Sequence, residues 1–166
     1  MLRVRLSEGA EAELIRAAED ASPVEAGGLL LGVRVADEPW IVGVVRVSGP
    51  ASSASYEIPQ GATSVAMAAA RETDPRLGYL GDWHSHPADV DPSRQDFRTL
   101  RGLSLGARQG HRLMAVVRRR RTGWRVEVWW RRTLFLGSHR CDIIRTGPLD
   151  GRGSGYDTGE GTAGHL

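Results

Sequence analysis

The chain contains no lysine: each of its 22 basic residues is arginine. Two readings fit that absence. Arginine-only usage follows from a genome that favours GC-rich codons, and it also suits a protein that works beside lysine-modifying machinery and offers it no target. Cysteine is nearly as scarce. Cys141 is the single one among 166 residues, which excludes an internal disulfide, a four-thiolate zinc site and a deaminase-type zinc site needing two cysteines. No stretch approaches the roughly 18 consecutive apolar residues that a membrane-spanning helix needs. The N-terminal MLRVRLSEGAEAELIRAAED carries charges throughout and has no apolar centre, so it does not read as a secretory signal. A cytoplasmic protein without membrane attachment is the expectation.

What is present looks like one globular domain. The chain is 40% hydrophobic and 25% charged with a net charge of +2, and its length lets a core stand without staples. Residues 8–20 are dense in helix formers, with Ala10, Leu14, Ala17 and Ala18 at helical spacing. Residues 27–35, GGLLLGVRV, read as a buried strand, and 39–49 as a second strand after an ADEP turn, with a possible third at 54–58. An alanine-rich helix is expected over 61–73 and a strand over 76–86, RLGYLGDWHSH. Pro92 and Ser93 open a helix over 92–109. HRLMAVVRR and GWRVEVWWRR flank RRTG as an antiparallel hairpin, and TLFLG or CDIIR adds one more strand. From Thr146 the chain is rich in Gly, Asp and Thr and poor in apolar residues, so a domain over 1–145 with a flexible tail over 146–166 is expected. The order of elements predicts an α/β domain with helices packed on a mixed, largely antiparallel sheet.

The stretch GDWHSHPADVDPSRQDF, residues 81–97, carries the chemistry. Side chains i and i+2 on a strand share a face, so His84 and His86 aim together. Zinc takes imidazole nitrogen at about 2.0–2.1 Å, and a catalytic zinc wants three protein ligands with the fourth position left to water. Asp96, in the first turn of the helix opened by Ser93, is the candidate third ligand. Each piece alone is weak. A lone His-x-His is ordinarily solvent-facing, and Ser-x-x-Asp before a helix is ordinarily a cap. Joined by a short proline-bounded loop, they are far more specific. Asp82, Asp89 and Asp91 are nearby carboxylates, but only Asp96 stands in the Ser-x-x-Asp frame. A base must also take a proton from the attacking water. Glu25 is the candidate, in PVEAGGLLLG, where a carboxylate at the edge of an apolar strand is an unusual placement.

Glu-x-Gly-Gly-x-Leu-x-Gly, then His-Ser-His-Pro, then Pro-Ser-x-x-Asp together resemble the JAMM (JAB/MPN domain) metalloprotease family. The resemblance covers residues 5–145 and implies an MPN/JAB-type, cytidine-deaminase-like fold. It implies one catalytic zinc ion on His84, His86 and Asp96. It gives Glu25 the role of general acid/base and Ser93 that of hydrogen-bonding the tetrahedral oxyanion. The loop between His86 and Asp96 holds nine residues, one fewer than the common family form. The implied reaction is amide hydrolysis, with zinc polarising the carbonyl and Glu25 shuttling the water's proton to the leaving amine. Substrates in the family are isopeptide or peptide bonds after the C-terminal glycine of ubiquitin or a ubiquitin-like protein. The GYLGDWHSHP form is similar to the compact prokaryotic branch. Members there act with ubiquitin-activating-like or conjugating-like enzymes, or process sulfur-carrier proteins.

Outside the motif, the hairpin 118–132 holds seven arginines together with Trp124, Trp129 and Trp130. Three readings are open. It is a solvated hairpin with tryptophans packed on the sheet, a docking surface for an acidic protein, or a nucleic-acid contact. Its local acidic offset is Glu127 alone, and nucleic acid is not the expected partner. His111, His139 and His165 read as non-ligands, and Cys141 as a packed thiol. The rival to an isopeptidase is a non-catalytic MPN-type scaffold. Such scaffolds typically lose ligands, whereas all five key positions are filled here.

Overall fold

A computed structural model describes residues 2–51, 57–105, 111–131 and 137–149. Chain order is β1 (Arg3–Ser7), α1 (Glu8–Ala21), β2 (Gly27–Val35), β3 (Glu38–Arg46), α2 (Ala62–Thr73), β4 (Gly78–His86), α3 (Arg94–Leu105), β5 (Arg112–Arg120), β6 (Gly123–Arg131), β7 (His139–Arg140) and β8 (Asp142–Thr146). The strands form one sheet in the order β7-β6-β5-β4-β2-β3-β1-β8. Four neighbouring pairs run antiparallel; β4–β5, β1–β3 and β1–β8 run parallel. The sheet is mixed and mostly antiparallel, as its hairpins and alternating helices predict.

Alternation along the strands sorts the helices onto two faces. Leu30, Leu80, Trp83, Leu113 and Ala115 pack under α1, whose Ala10, Leu14 and Ala18 are buried against them. The intervening residues face the other way. Leu29 and Leu31 meet Met67 of α2, while Met114 and Val116 meet Leu100 of α3. Phe97 of α3 stands edge-on to Trp129 at 5.1 Å. Trp124 and Trp130 pack against the α1-side core. All three hairpin tryptophans therefore rest on the sheet.

Several expected boundaries move. β1 was not anticipated, although Val4 and Leu6 alternate with arginines and are fully buried. The β2–β3 connection is a two-residue turn at Ala36 and Asp37, both with positive φ, so Glu38 and Pro39 join the strand. Such a turn suits the twist of paired strands better than a four-residue ADEP loop. No strand forms at Glu57 or Ile58, and the rest of the possible third strand lies outside the described residues. The same holds for most of TLFLG, for residues 106–109 of the long helix and for the tail beyond 149.

Two glycines permit close approach around β4. A Cβ on Gly28 would lie 1.8 Å from the Val45 carbonyl oxygen, and one on Gly81 would lie 1.9 Å from that of Leu113. At Gly81 the register with β2 slips, leaving Leu80 as an extra residue. The bulge puts Tyr79 on the same face as Asp82 although they are three apart, an arrangement that strict two-residue alternation forbids.

Candidate metal centre

The site lies on the α2/α3 face, at the end of β4 where α3 begins. His84 and His86 share that face, and their Nε2 atoms are 3.1 Å apart. Asp96 turns one oxygen to each ring: Oδ1 lies 3.3 Å from His84 Nε2 and Oδ2 3.5 Å from His86 Nε2. A tetrahedral ion with ligands at about 2.0–2.1 Å has donor–donor edges of about 3.3–3.4 Å. The nitrogen–nitrogen separation and the nearest carboxylate oxygen to each ring are of that order, a different Asp96 oxygen facing each ring. Among the described residues, this is the group of three or more His, Cys, Asp or Glu side chains placed to hold a metal ion.

The local sequence explains why these atoms converge. Asp96 and Ser93 form a reciprocal cap: the Ser93 N–H donates to Asp96 Oδ2 at 2.5 Å, and the Asp96 N–H donates to Ser93 Oγ at 3.2 Å. The cap fixes the carboxylate over the histidines. His86 Nδ1 faces the Val90 carbonyl oxygen at 3.3 Å. A carbonyl only accepts, so Nδ1 carries the proton and Nε2 presents its lone pair to the ion position. Burial pushes the Asp96 pKa up, but the adjacent His84 and His86 rings and the Ser93 N–H outweigh it and hold the group well below the usual carboxylate range. That carboxylate is ionised whenever a cation is available.

Glu25 stands outside the triangle, its Oε1 4.0 Å from His86 Nε2, and it is only 8% exposed. Burial raises its pKa against the lowering pull of the two histidines, which makes it a stronger base than an exposed glutamate. Its placement depends on Ser85, which the sequence reading passed over. The Ala26 N–H donates to Ser85 Oγ at 2.8 Å, and the Ser85 N–H donates to the Ala26 carbonyl at 2.7 Å. Ser85 lies between the histidines but points to the opposite face and is fully buried. It pins the segment bearing Glu25 to the strand bearing the ligands. Periodicity alone gives it no signal, because its partner is far away in sequence.

A cavity of about 520 Å³ opens over the site, with Glu25, His84, Ser93 and Asp96 in its wall and Ile58 and Leu103 supplying apolar surface. Asp82 also lines it, accepting a hydrogen bond from the Tyr79 hydroxyl at 2.6 Å. Burial lifts Asp82 to a pKa of about 6, against the opposing effects of Tyr79, His84 and Arg112. A carboxyl whose folded pKa exceeds its unfolded value favours folding when protonated. Stability is therefore lost as pH rises from the unfolded value of about 3.9 through the folded one. We expect Asp82→Asn to stabilise the metal-free protein by about 1–3 kcal/mol at pH 8 and by almost nothing at pH 3.5. Urea unfolding at the two pH values checks this; equal effects at both would refute it.

The remaining candidates fall outside the site. His111 and His139 contact Trp130, with ring centroids 4.5 and 5.4 Å away. His165 lies outside the described residues. Cys141 is buried and its thiol is pushed up to about 12 by burial and by Asp142, so it is not a nucleophile. Arg118 is buried and Arg120 is paired with carboxylates, whereas Arg119, Arg121 and Arg125 are exposed.

A sequence model of the prokaryotic homologs of the JAB domain matches residues 7–132. The chain belongs to this family. The match takes in Glu25, both histidines, Ser93, Asp96 and the arginine hairpin. No curated protein matches the sequence. Among solved structures, this JAB-domain chain is similar to a Desulfitobacterium hafniense protein known from its solution structure. The TM-score is 0.63 at 20% identity, with 89% of this chain and 95% of that one covered. It is also similar to a JAB1/MPN domain protein from Archaeoglobus fulgidus, with a TM-score of 0.52 at 16% identity over 86% and 98% of the two chains. At these identities the likeness concerns the fold. Among the described residues, no helix is long and apolar enough to cross a membrane.

Proposed function

We propose that this JAB-domain protein is a zinc-dependent isopeptidase or peptidase that hydrolyses the amide after the C-terminal glycine of a ubiquitin-like protein. One observation carries the reading: two imidazole nitrogens and a carboxylate converge at tetrahedral spacing, with a buried, separate carboxylate beside them. His84, His86 and Asp96 would hold the ion, which when bound supplies Lewis acidity and lowers the pKa of water towards about 7. Glu25 is the proton acceptor, and it returns that proton to the departing amine. Ser93 Oγ already accepts from the Asp96 N–H, so its own hydrogen is free to be donated to the developing oxyanion. The partly apolar cavity has room for an extended glycine-rich tail. A ubiquitin-like or sulfur-carrier protein is the substrate we infer, with ubiquitin-activating-like or conjugating-like enzymes as partners. Engagement of the hairpin's Arg118 and Arg120 with carboxylates weighs against a nucleic-acid role.

The test is direct. A ubiquitin-like protein bearing a peptide or lysine-linked extension after its terminal glycine is incubated with zinc-loaded enzyme, and the products are weighed by intact mass spectrometry. Scission after that glycine, abolished by His84→Ala together with zinc stoichiometry, is the expected result. A protein that binds one zinc yet leaves every such amide intact would sink the reading and favour a scaffold. Ser93→Ala is expected to lower kcat by roughly 10²–10³-fold, as loss of one oxyanion donor does. Loss of its cap should cost only about 1 kcal/mol of stability. Steady-state kinetics beside a thermal melt separates the two effects.

A further inference from the structure

The arginines on the site face of the hairpin have partners that the sequence did not pair with them. Glu127 on β6 is 1% exposed, and its Oε1 receives three guanidinium groups: Arg118 at 3.1 Å, Arg140 at 3.3 Å and Arg120 at 3.4 Å. Two of these arginines are forked. The other nitrogen of Arg118 reaches Asp91, and that of Arg120 reaches Asp89 at 2.9 Å. Three cations thus meet three carboxylates, and the cluster is neutral. Asp89 and Asp91 flank Val90 in the loop after His86, and the Val90 carbonyl is the group that His86 Nδ1 faces. Arg118 is also the register partner of His86 across the parallel β4–β5 ladder. The loop carbonyl is thereby anchored on both sides to the strand beside the histidine.

We propose that Arg118 and Arg120, held by the buried Glu127 hub, are positioning residues. They clamp the loop between β4 and α3 so that the Val90 carbonyl fixes the tautomer and ring orientation of His86. The inference deepens the metal-centre reading and rests on it for its effect on metal affinity. The physical logic is that of a planar, bidentate cation, which sets direction as well as distance. An exposed aspartate pair would contribute little to stability by itself. Its influence lies in which way one backbone carbonyl points.

The double variant Asp89→Asn/Asp91→Asn tests this. The Asp89 side chain is 45% and that of Asp91 86% exposed, so neither change opens the core. Two readouts are taken on the full chain. Zinc affinity is measured by competition with a chromophoric chelator, and the His86 tautomer by long-range ¹H–¹⁵N spectra of the metal-free protein at a pH where the imidazoles are neutral. Loss of an outer-shell partner typically weakens metal binding by about 10–100-fold, and that is the expected change. The wild type should show the Nδ1–H tautomer and the variant a mixture. Asp74→Asn, which breaks the exposed Arg76 pair elsewhere, should move neither readout. A double variant with wild-type affinity or a wild-type tautomer overturns the clamp. A wild type that takes up no zinc sinks the metal reading instead, and the tautomer alone then decides the clamp.

Discussion

Glu25→Gln is expected to lower kcat/KM by roughly 10²–10⁴-fold, the usual worth of a positioned general base. Zinc stoichiometry should stay at the wild-type level, because Glu25 lies outside the ligand triangle at 4.0 Å from His86 Nε2. Stability should move the other way. Burial raises the Glu25 pKa, so the folded protein binds a proton there more readily than the unfolded chain does. The ionised carboxylate therefore costs stability as pH rises above the ordinary glutamate value, and the neutral amide does not. A less active enzyme that melts at a higher temperature near neutral pH is the signature of a base kept at a stability cost. Activity within tenfold of wild type, or a parallel loss of zinc, would remove Glu25 from the role.

The second large effect belongs to a residue outside the metal centre. Glu127→Ala is expected to destabilise the fold by roughly 3–5 kcal/mol, because removing one member of a buried ionic cluster leaves the others uncompensated. The comparison that decides the size is between burial and exposure. Arg118 has only 5% of its side chain exposed and would keep a single partner, Asp91, which lies at the surface. Arg120 and Arg140 are more exposed and can turn to water. The loss therefore comes mostly from the desolvated Arg118 head and the cavity beside it. For a chain of this length, about 1 kcal/mol corresponds to roughly 2–4 °C, so the melting temperature should fall by roughly 10 °C. Urea denaturation with an unchanged slope is the check, and a loss under about 1 kcal/mol would show that the hub is not the structural centre of the cluster.

Local rules carried the sequence reading well where a feature is local. His84 and His86 share a face because a strand alternates, and Asp96 was picked over three neighbouring carboxylates because it stands in a capping frame. Helix α1 followed from helix formers at helical spacing, α2 from its alanine content and α3 from its Pro-Ser start. What escaped depends on partners far apart in sequence. Ser85 looked like a spacer between ligands until its bonds to Ala26 appeared. Leu80 looked like an ordinary strand residue, yet as a bulge it shifts Tyr79 into line with Asp82. The arginine hairpin left three readings open: a solvated turn, a docking surface or a nucleic-acid contact. Nothing near it in sequence announced that Asp89 and Asp91, on the other side of α3, would claim two of its heads. β1 was legible as alternation but is only five residues long, and its parallel pairing with β3 and β8 joins distant segments.

The two bonds between Ala26 and Ser85 have a kinetic meaning as well. They join residues 59 positions apart, so the chain must close a long loop before either can form. Glu25 and the histidines then become neighbours in the same event, and Asp96 arrives only once α3 has started. A chain caught partway through folding holds ligands without a base, or a base without ligands. Uptake of the ion would thus report β4 joined to the start of α3, whereas only a finished β2–β4 ladder sets Glu25 beside it.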